Sequence, residues 1–307
     1  MERRVALSLT EDAWIGSFQA MGSPCEVVCE SPRRSDAAEM CELVADEAWR
    51  IEDKFSRYRD DNIVAQINRA AGVTVELDDE TADLVDFAAT LYHLSDKRFD
   101  ITSGVLRKAW IFDGSDRVPS QREIDTLLTR VGWHRVSWQR PRLTLPTGME
   151  IDLGGIGKEY AVDKAVARIK PAGGGPCLIN FGGDLASTGM PCRRRCWKVG
   201  IEGQTPDSAE RLIDLKEGAL ATSGDERRFL QKDGIRYSHI LDPLTGWPFF
   251  EAPRSVTVAA ASCTQAGMIS TLAMLKGAGA EALLETEGVR AWCRRQPGTS
   301  NINIEIS

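Results

Sequence analysis

The stretch SVTVAAASCTQAGMISTLAM (residues 255–274) passes directly from a strand pattern into a helix pattern. Its first part, 255–261, is a short run of β-branched and small residues, which is typical of a buried strand. A helix is predicted at 264–276. Its first turns carry hydroxyls and small residues, among them Gly267, where a packed helix usually carries bulk. The pattern fits a binding site, and it also fits a helix packed closely on a sheet.

Four more helices are predicted upstream of this stretch, because apolar residues recur there at helical spacing. They lie at 36–55, 80–95, 121–131 and 158–169. Asp36 with Glu39, and Ser120 with Glu123, have the spacing of a capping box at the start of the first and third of these helices.

Strand patterns concentrate in the second half of the chain. A buried strand is predicted at 177–181, two short strands within 143–153, and a hairpin at 226–242 around Lys232-Asp233-Gly234. Because helices come first and strands follow without regular alternation, the predicted fold class is α+β.

The chain has 307 residues and can bury a sizeable core, as one large domain or two smaller ones. The net charge of -7 argues against a nucleic-acid groove, which requires a basic face. No segment approaches the roughly 20 apolar residues of a membrane-spanning helix.

The cysteines indicate the compartment. Eight are scattered along the chain without a Cys-x-x-Cys pair, and none of the three histidines lies beside them. Buried free thiols in a reducing compartment are therefore expected. The first residues also lack the sustained apolar run of a signal peptide. We expect a cytoplasmic protein, or an exported one if a signal segment has been removed.

Two polar stretches are candidate sites. In IDLGGIGKEY (151–160), glycines between a strand and a helix would let backbone N–H groups approach an anion, and Lys158 would add positive charge. Tight strand-to-helix packing explains the same glycines. His239 shares a predicted strand face with Tyr237 and Leu241 and precedes a turn. It is either a satisfied core histidine or a rim residue suited to proton transfer near neutral pH.

Taken in order, eight segments of the chain resemble the ApbE family, the FAD:protein FMN transferases. They extend over about residues 19–277. The segments are Gln19-Ala-Met-Gly22, Phe55-Ser-Arg-Tyr58 with Asn68, Phe99-Asp-Ile-Thr102 with Trp110, Asp152-Leu-Gly-Gly-Ile-Gly-Lys158 with Tyr160-Ala-Val-Asp163, Asn180-Phe-Gly-Gly-Asp184, Thr222-Ser-Gly-Asp225, His239-Ile-Leu-Asp-Pro-Leu-Thr-Gly246 and Ser270-Thr271.

The resemblance implies a single large α+β domain with a mixed or antiparallel sheet core and flanking helices, which holds FAD in a cleft. This domain is expected at 19–290, between an N-terminal extension at 1–18 and a C-terminal tail at 291–307. The implied activity transfers the FMN part of FAD to a Ser or Thr hydroxyl of an acceptor flavoprotein, with release of AMP and with Mg²⁺ at the diphosphate. In such a phosphoryl-type transfer the protein positions the reacting groups, while metal and hydrogen-bond donors stabilise charge.

The resemblance also implies roles for individual residues. The positions that match family contacts to FAD are Met21, Tyr58, Arg98, Phe99, Asp100, Asp152, Lys158 and Leu241. The metal would take the backbone carbonyl of Gly155 and a side-chain oxygen from Ser270 or Thr271. His239 is the candidate for assisting deprotonation of the acceptor hydroxyl.

One departure from the family pattern concerns the metal. The family usually has an aspartate four residues before the threonine of its last motif, where this sequence has Gly267. Mg²⁺ prefers anionic oxygen, so this change predicts weakened metal binding. Asp184, Asp225 and Asp242 are the candidates to compensate. A second departure, Gly-Lys-Glu at 157–159 in place of Ala-Lys-Gly, is interpreted as minor.

Two alternatives to transfer remain, and the missing aspartate favours the first. One is an FAD-binding protein of the same fold with weak or lost transfer activity. The other is a hydrolase that converts FAD to FMN and AMP. If the metal site is only weakened, Gly267→Asp is expected to raise the Mg²⁺-dependent activity.

Overall fold

The structure is a computed structural model that describes residues 3–202, 209–225, 228–295 and 302–304. Its strands, in chain order, are β1 Ala6–Leu9, β2 Trp14–Ala20, β3 Ser23–Cys29, β4 Thr74–Glu76, β5 Ser137–Gln139, β6 Arg142–Thr144, β7 Cys177–Phe181, β8 Asp184–Ser187, β9 Trp197–Glu202, β10 Ala209–Leu215, β11 Ala219–Gly224, β12 Phe229–Lys232, β13 Ile235–Ser238, β14 Ser255–Ala260, β15 Arg290–Arg294 and β16 Ile302–Ile304. The α-helices are α1 Arg34–Phe55, α2 Ile63–Arg69, α3 Asp79–Leu94, α4 Gln121–Leu128, α5 Gly157–Ile169, α6 Cys263–Leu275 and α7 Ala280–Glu287.

A nine-stranded sheet organises the molecule. Its strand order is β1-β2-β3-β7-β8-β11-β14-β15-β16, and neighbouring strands are antiparallel. Helices α1, α5 and α6 pack on this sheet, and α5 also contacts both α1 and α6. The main apolar core lies between the sheet and these helices. Consequently α5 and α6, which carry two of the predicted site segments, lie side by side against the central strands.

The α+β class with one antiparallel sheet core and flanking helices is confirmed. The four predicted upstream helices correspond to α1, α3, α4 and α5, and the strand at 177–181 is β7. The hairpin around Gly234 is formed by β12 and β13, which pair antiparallel. The predicted helix at 264–276 is α6. It is not the last helix, since α7 follows it.

Several local predictions need correction. Helix α1 begins at Arg34 with no side-chain cap, because the Asp36 carboxylate accepts from the Arg33 guanidinium at 2.9 Å instead of capping the helix. The capping box of Ser120 and Glu123 at α4 is confirmed. Of the two strands predicted within 143–153, only the first corresponds to a strand, β6. The backbone N–H of Ile151 there donates to the side chain of Asn68 instead of pairing with a neighbouring strand.

The sheet extends beyond the predicted domain boundaries. Strand β1 and most of β2 come from the segment interpreted as an N-terminal extension, and β15 and β16 lie in or at the edge of the predicted tail. Both segments thus add strands to the sheet. All eight cysteines are free, and seven of them are buried, as the sequence predicts. Among the described helices, none is both long and apolar enough to cross a membrane.

Trp110 lies in a separate apolar cluster beside α4, against which residues of the second half of the chain pack. Its indole N–H donates to the carbonyl oxygen of Gly246 at 2.8 Å, and its ring packs against Tyr237 and Trp247. Gly246 has φ +72, and a Cβ there would lie 2.4 Å from Cγ2 of Ile124. The turn that follows His239 is therefore anchored to the core by Trp110.

Candidate active site

A chain of hydroxyl groups joins β11 to α6. Ser270 is fully buried, and its Oγ donates to the carbonyl oxygen of Gly267 at 3.0 Å. The Oγ atoms of Ser223 and Ser270 are 2.9 Å apart, and Ser223 Oγ lies 3.0 Å from Thr271 Oγ1. Because each hydroxyl has one proton and a carbonyl only accepts, Ser223 donates to Ser270 and Thr271 donates to Ser223. Among the described residues, no donor occupies the lone pairs of Thr271 Oγ1, which are available to a ligand, whereas Ser270 holds the helix.

The start of α5 faces α6 across a small cavity. Gly155 and Glu159 line it from one side, and Thr264, Gly267 and Thr271 from the other. The apolar residues Phe87, Leu91, Ile156 and Met268 complete the lining. Within the part of the chain that the structure describes, no side chain caps the amino terminus of α5. Glu159, Thr271 and the Gly155 peptide could offer this cavity a carboxylate, a hydroxyl and a carbonyl oxygen, the ligands that hard divalent cations prefer. These residues fit Mg²⁺.

Glu159 is in direct contact with Gly267. A Cβ at position 267 would lie 2.5 Å from Cγ of Glu159 and 2.8 Å from its Oε1. Burial, followed by the negative charge of Asp184, raises the pKa of Glu159. Counting only described residues, its carboxylate has no hydrogen-bond or ion-pair partner on another residue. The carboxylate at this position is therefore short of positive charge.

Lys158 pairs with a carboxylate of the sheet. Its Nζ lies 2.9 Å from Oδ2 of Asp184, a carboxylate that is almost fully buried at the start of β8. The other oxygen of Asp184 accepts from the backbone N–H of Thr222 at 3.2 Å. Burial disfavours the charged lysine, but the attraction of Asp184 and Glu159 outweighs it and raises the pKa of Lys158. Lys158 remains positively charged beside the α5 terminus.

Asp152 and Tyr58 are connected through Arg57. One guanidinium nitrogen of Arg57 pairs with Oδ2 of Asp152, and the other donates to the hydroxyl oxygen of Tyr58 at 2.8 Å. Tyr58 is largely exposed, so its ring is open to a ligand. Asn68 exchanges two hydrogen bonds with the backbone of Ile151, at 3.0 and 2.7 Å. Asn68 therefore fixes the segment that carries Asp152.

The Arg98-Phe99-Asp100 stretch has two different functions. The carboxylate of Asp100 is buried and accepts from both backbone and side chain of Thr102 and from the backbone N–H of Trp133. Burial raises the pKa of Asp100, against the effect of these bonds. Asp100 therefore caps the 3₁₀ helix Ile101–Lys108. By contrast, Nε of Arg98 is buried and without a partner among the described residues, so it can donate to a ligand.

His239 lies one residue beyond β13 and not within it. Its Nδ1 is 3.0 Å from the backbone carbonyl oxygen of Arg228. Since a carbonyl oxygen only accepts, the neutral ring carries its proton on Nδ1, and Nε2 has a free lone pair. Burial lowers the pKa of His239, and the charge of Lys158 is among the further causes. The ring is thus neutral at pH 7 and able to accept a proton.

Met21 and Leu241 lie at the periphery. Met21 occupies the β2–β3 turn with φ +52, and its N–H donates to Glu52 at 2.7 Å. Leu241 is half-buried against the cluster that contains Trp110. The structure thus brings Gly155, Lys158, Thr271 and their neighbours together around the α5–α6 contact. Met21, Tyr58, Arg98 and Leu241 belong to the surrounding segments, and their contacts with FAD stay predictions.

Two features of the site were not recognised from the sequence. Glu159 was interpreted as a minor change, although a lone acid in the first turn of a helix beside a glycine-rich loop was the available signal. Asp163 accepts from the backbone N–H groups of Cys263 and Thr264, both at 2.8 Å. It therefore ties α5 to the start of α6 and fixes the spacing of the cavity.

The model of the ApbE family matches residues 21–293. The chain belongs to the ApbE family.

Solved ApbE structures share the complete fold. The ApbE protein of Thermotoga maritima superposes with a TM-score of 0.83 at 30% identity, over 99% of this chain and 97% of that one. The flavinyl transferase ApbE of Pseudomonas stutzeri superposes with a TM-score of 0.81 at 28% identity, over 98% and 94% of the two chains.

Relatives of this chain with curated names are FAD:protein FMN transferases. The FAD:protein FMN transferase of Vibrio cholerae is 29% identical over 74% of this chain and 70% of its own length. The protein of that name in Treponema pallidum is 30% identical over 73% of this chain and 67% of its own length. As an ApbE protein with such relatives over most of its length, the chain is a transferase enzyme.

Proposed function

We propose that this ApbE protein transfers FMN from FAD to a Ser or Thr hydroxyl of an acceptor flavoprotein and that the reaction depends on Mg²⁺. The observation that carries the proposal is the state of His239. Its proton lies on Nδ1, no described residue hydrogen-bonds its Nε2, and its pKa is lowered. A protein that only stores FAD has no need of a neutral base with an available ring nitrogen, whereas an acceptor hydroxyl must lose a proton.

The residues of the site have separate tasks. Lys158 and the uncapped amino terminus of α5 offer positive charge to the diphosphate of FAD. Gly155 and Thr271 would hold Mg²⁺, which when bound stabilises negative charge on the diphosphate oxygens. The buried Nε of Arg98 and the exposed ring of Tyr58 are available to the remainder of FAD.

The transfer step balances without another reactant. Nε2 of His239 takes the proton of the acceptor hydroxyl, and the hydroxyl oxygen attacks the phosphorus of the FMN half. A new P–O bond to the acceptor forms, the P–O bond of the diphosphate breaks, and AMP leaves with that electron pair. If water takes the place of the acceptor, the same step yields FMN and AMP, so hydrolysis is the competing outcome.

One assay separates the three functions. The protein is incubated with FAD, Mg²⁺ and a peptide with the family's acceptor motif, a Ser or Thr followed by Gly-Ala-Thr, and a matched peptide with Ala at the acceptor position is the control. The proposal predicts that only the first peptide gains the mass of FMN less water, with an equal amount of AMP. Free FMN and AMP with an unmodified peptide would identify a hydrolase. Bound FAD without either product would identify a binding protein.

A further inference from the structure

The carboxylates that were candidates to replace an acid at position 267 all have other partners. Asp184 pairs with Lys158, and Asp242 accepts from the backbone N–H of Leu244 at 2.9 Å. Asp225 lies between two arginines, Arg236 at 3.3 Å and Arg254 at 3.4 Å. A carboxylate already neutralised by a lysine or arginine is a poor ligand for a further cation. Asp184 and Asp225 are therefore poor sources of the anionic oxygen that Mg²⁺ prefers, and Asp242 does not line the cavity between α5 and α6.

Glu159 meets the requirement that these three fail. It lines the same cavity as Gly155 and Thr271, and its neighbour Lys158 is engaged by Asp184. In the described part of the chain, no other residue donates a hydrogen bond to its carboxylate or forms an ion pair with it. A half-buried carboxylate without a partner is costly unless a cation or donor joins it.

Gly267 makes room for this carboxylate. Any Cβ at position 267 would come within 2.5 Å of Cγ of Glu159, so a side chain there and Glu159 in its present position exclude each other. Gly267 lies one helical turn before Thr271 on α6. The Glu159 carboxylate thus reaches the side of α6 on which the Thr271 oxygen is available.

We infer that Glu159 of α5 is the carboxylate ligand of Mg²⁺ in this protein, together with the Gly155 carbonyl and Thr271 Oγ1. The inference rests on the proposed function, which requires Mg²⁺ at the diphosphate. The metal site is then not weakened by the glycine at 267. Its acidic ligand comes from the neighbouring helix, and Gly267 is the space that this ligand requires.

Metal binding tests the inference without measuring turnover. Mn²⁺, which takes the same octahedral oxygen ligands as Mg²⁺, is titrated into the full-length protein with FAD present and no acceptor, and free Mn²⁺ is read by electron paramagnetic resonance. We expect Glu159→Gln to raise the Kd for Mn²⁺ by about 10-fold or more, as for loss of one charged ligand. Its affinity for FAD without metal should equal that of the wild type. Glu150→Gln, at a half-buried glutamate paired with Arg107 and Lys108, is the matched control and should leave both values unchanged.

The double variant Glu159→Gly/Gly267→Asp returns the acid to α6 and should recover most of the Mn²⁺ affinity. Wild-type affinity in Glu159→Gln would overturn the inference, and so would an equal loss of FAD affinity in the absence of metal. Different outcomes test the transferase proposal and the metal-ligand inference. If Mn²⁺ binds through Glu159 but no peptide gains FMN, the metal site stands and the function is wrong. If Glu159→Gln transfers FMN with unchanged Mg²⁺ dependence, the function stands and the inference is wrong.

Discussion

Glu159 fills the space beside Gly267, so that a Cβ on Gly267 would lie 2.5 Å from Cγ of Glu159. The two residues come from adjacent helices, α5 and α6, which Asp163 holds together through the first N–H groups of α6. A side chain at position 267 would therefore displace the Glu159 carboxylate, so the residues at these two positions depend on each other.

Gly267→Ala is expected to destabilise the protein by about 1–3 kcal/mol, because the added methyl group overpacks the contact with Glu159. In an ordinary helix the same change stabilises by about 0.5–1 kcal/mol, so the sign is diagnostic. The free energy of unfolding is measured by urea denaturation. In a Glu159→Gly background, Gly267→Ala should lose its cost, which gives a coupling energy in a double-mutant cycle. Equal effects in both backgrounds would rule out the contact.

Gly267→Asp alone should lower both thermal stability and Mg²⁺-dependent activity. The sequence alone favours the opposite result, since it treats position 267 as an empty ligand site. The structure places a second carboxylate there, so the new aspartate would meet Glu159 both sterically and by like-charge repulsion. Melting temperature and initial rate at several Mg²⁺ concentrations check this prediction. A faster single variant would show that Glu159 does not occupy the site.

His239→Gln should reduce the rate of FMN transfer by about 10²–10⁴-fold, the usual contribution of a general base. FAD affinity should be unchanged. In the wild type the rate should fall only below about pH 6.5, because the lowered pKa keeps the ring neutral above it. The pH–rate profile of His239→Gln should lack this fall at acidic pH. His93→Gln, at an exposed histidine of α3, is the matched control and should behave as the wild type. An unaltered rate in His239→Gln would remove the base from the mechanism.

Gly246→Ala should cost about 2–4 kcal/mol of stability, since it combines a positive φ with overpacking. The added Cβ would lie 2.4 Å from Cγ2 of Ile124. Gly234→Ala is a matched control: its φ of +78 is similar, but nothing lies within 4 Å of its Cβ. It should cost only about 1–2 kcal/mol for the left-handed backbone. Equal unfolding free energies for the two variants would contradict packing of this turn against α4.

Glu80→Gln should lower the free energy of unfolding by about 2 kcal/mol at pH 7. This value is smaller than the full pKa shift corresponds to, because solvent screens a partly exposed carboxylate. Hydrogen bonds from Arg50, Lys54 and Tyr160, partly offset by burial, lower the pKa of Glu80 to about 2. Its stabilisation is therefore complete above the unfolded-state pKa near 4.3 and is lost as the pH falls toward 2. Denaturation at pH 7 and pH 3 should show the difference from the wild type shrinking. Exposed Glu76→Gln should show no such trend.

Local signals were predictable from the sequence, and contacts between distant segments were not. Ser120 and Glu123 satisfy each other within one helical turn, so their capping box was visible. The β2–β3 hairpin was missed because its turn is formed by Met21 and Gly22, both at positive φ, and methionine is not a turn residue. The sequence showed Glu159 and Gly267 as two unrelated departures. Only the packing of α5 against α6 shows that the side chain of Glu159 occupies the space that glycine at position 267 leaves open.

The position of the metal can be measured directly by anomalous diffraction from a crystal of the wild-type protein with FAD and Mn²⁺. We predict one peak between α5 and α6, within about 2.0–2.3 Å of a carboxylate oxygen of Glu159 and of the oxygens of Gly155 and Thr271, as octahedral oxygen ligation requires. A peak bound instead to Asp184, Asp225 or Asp242, or no peak beside Glu159 with FAD in place, would contradict it.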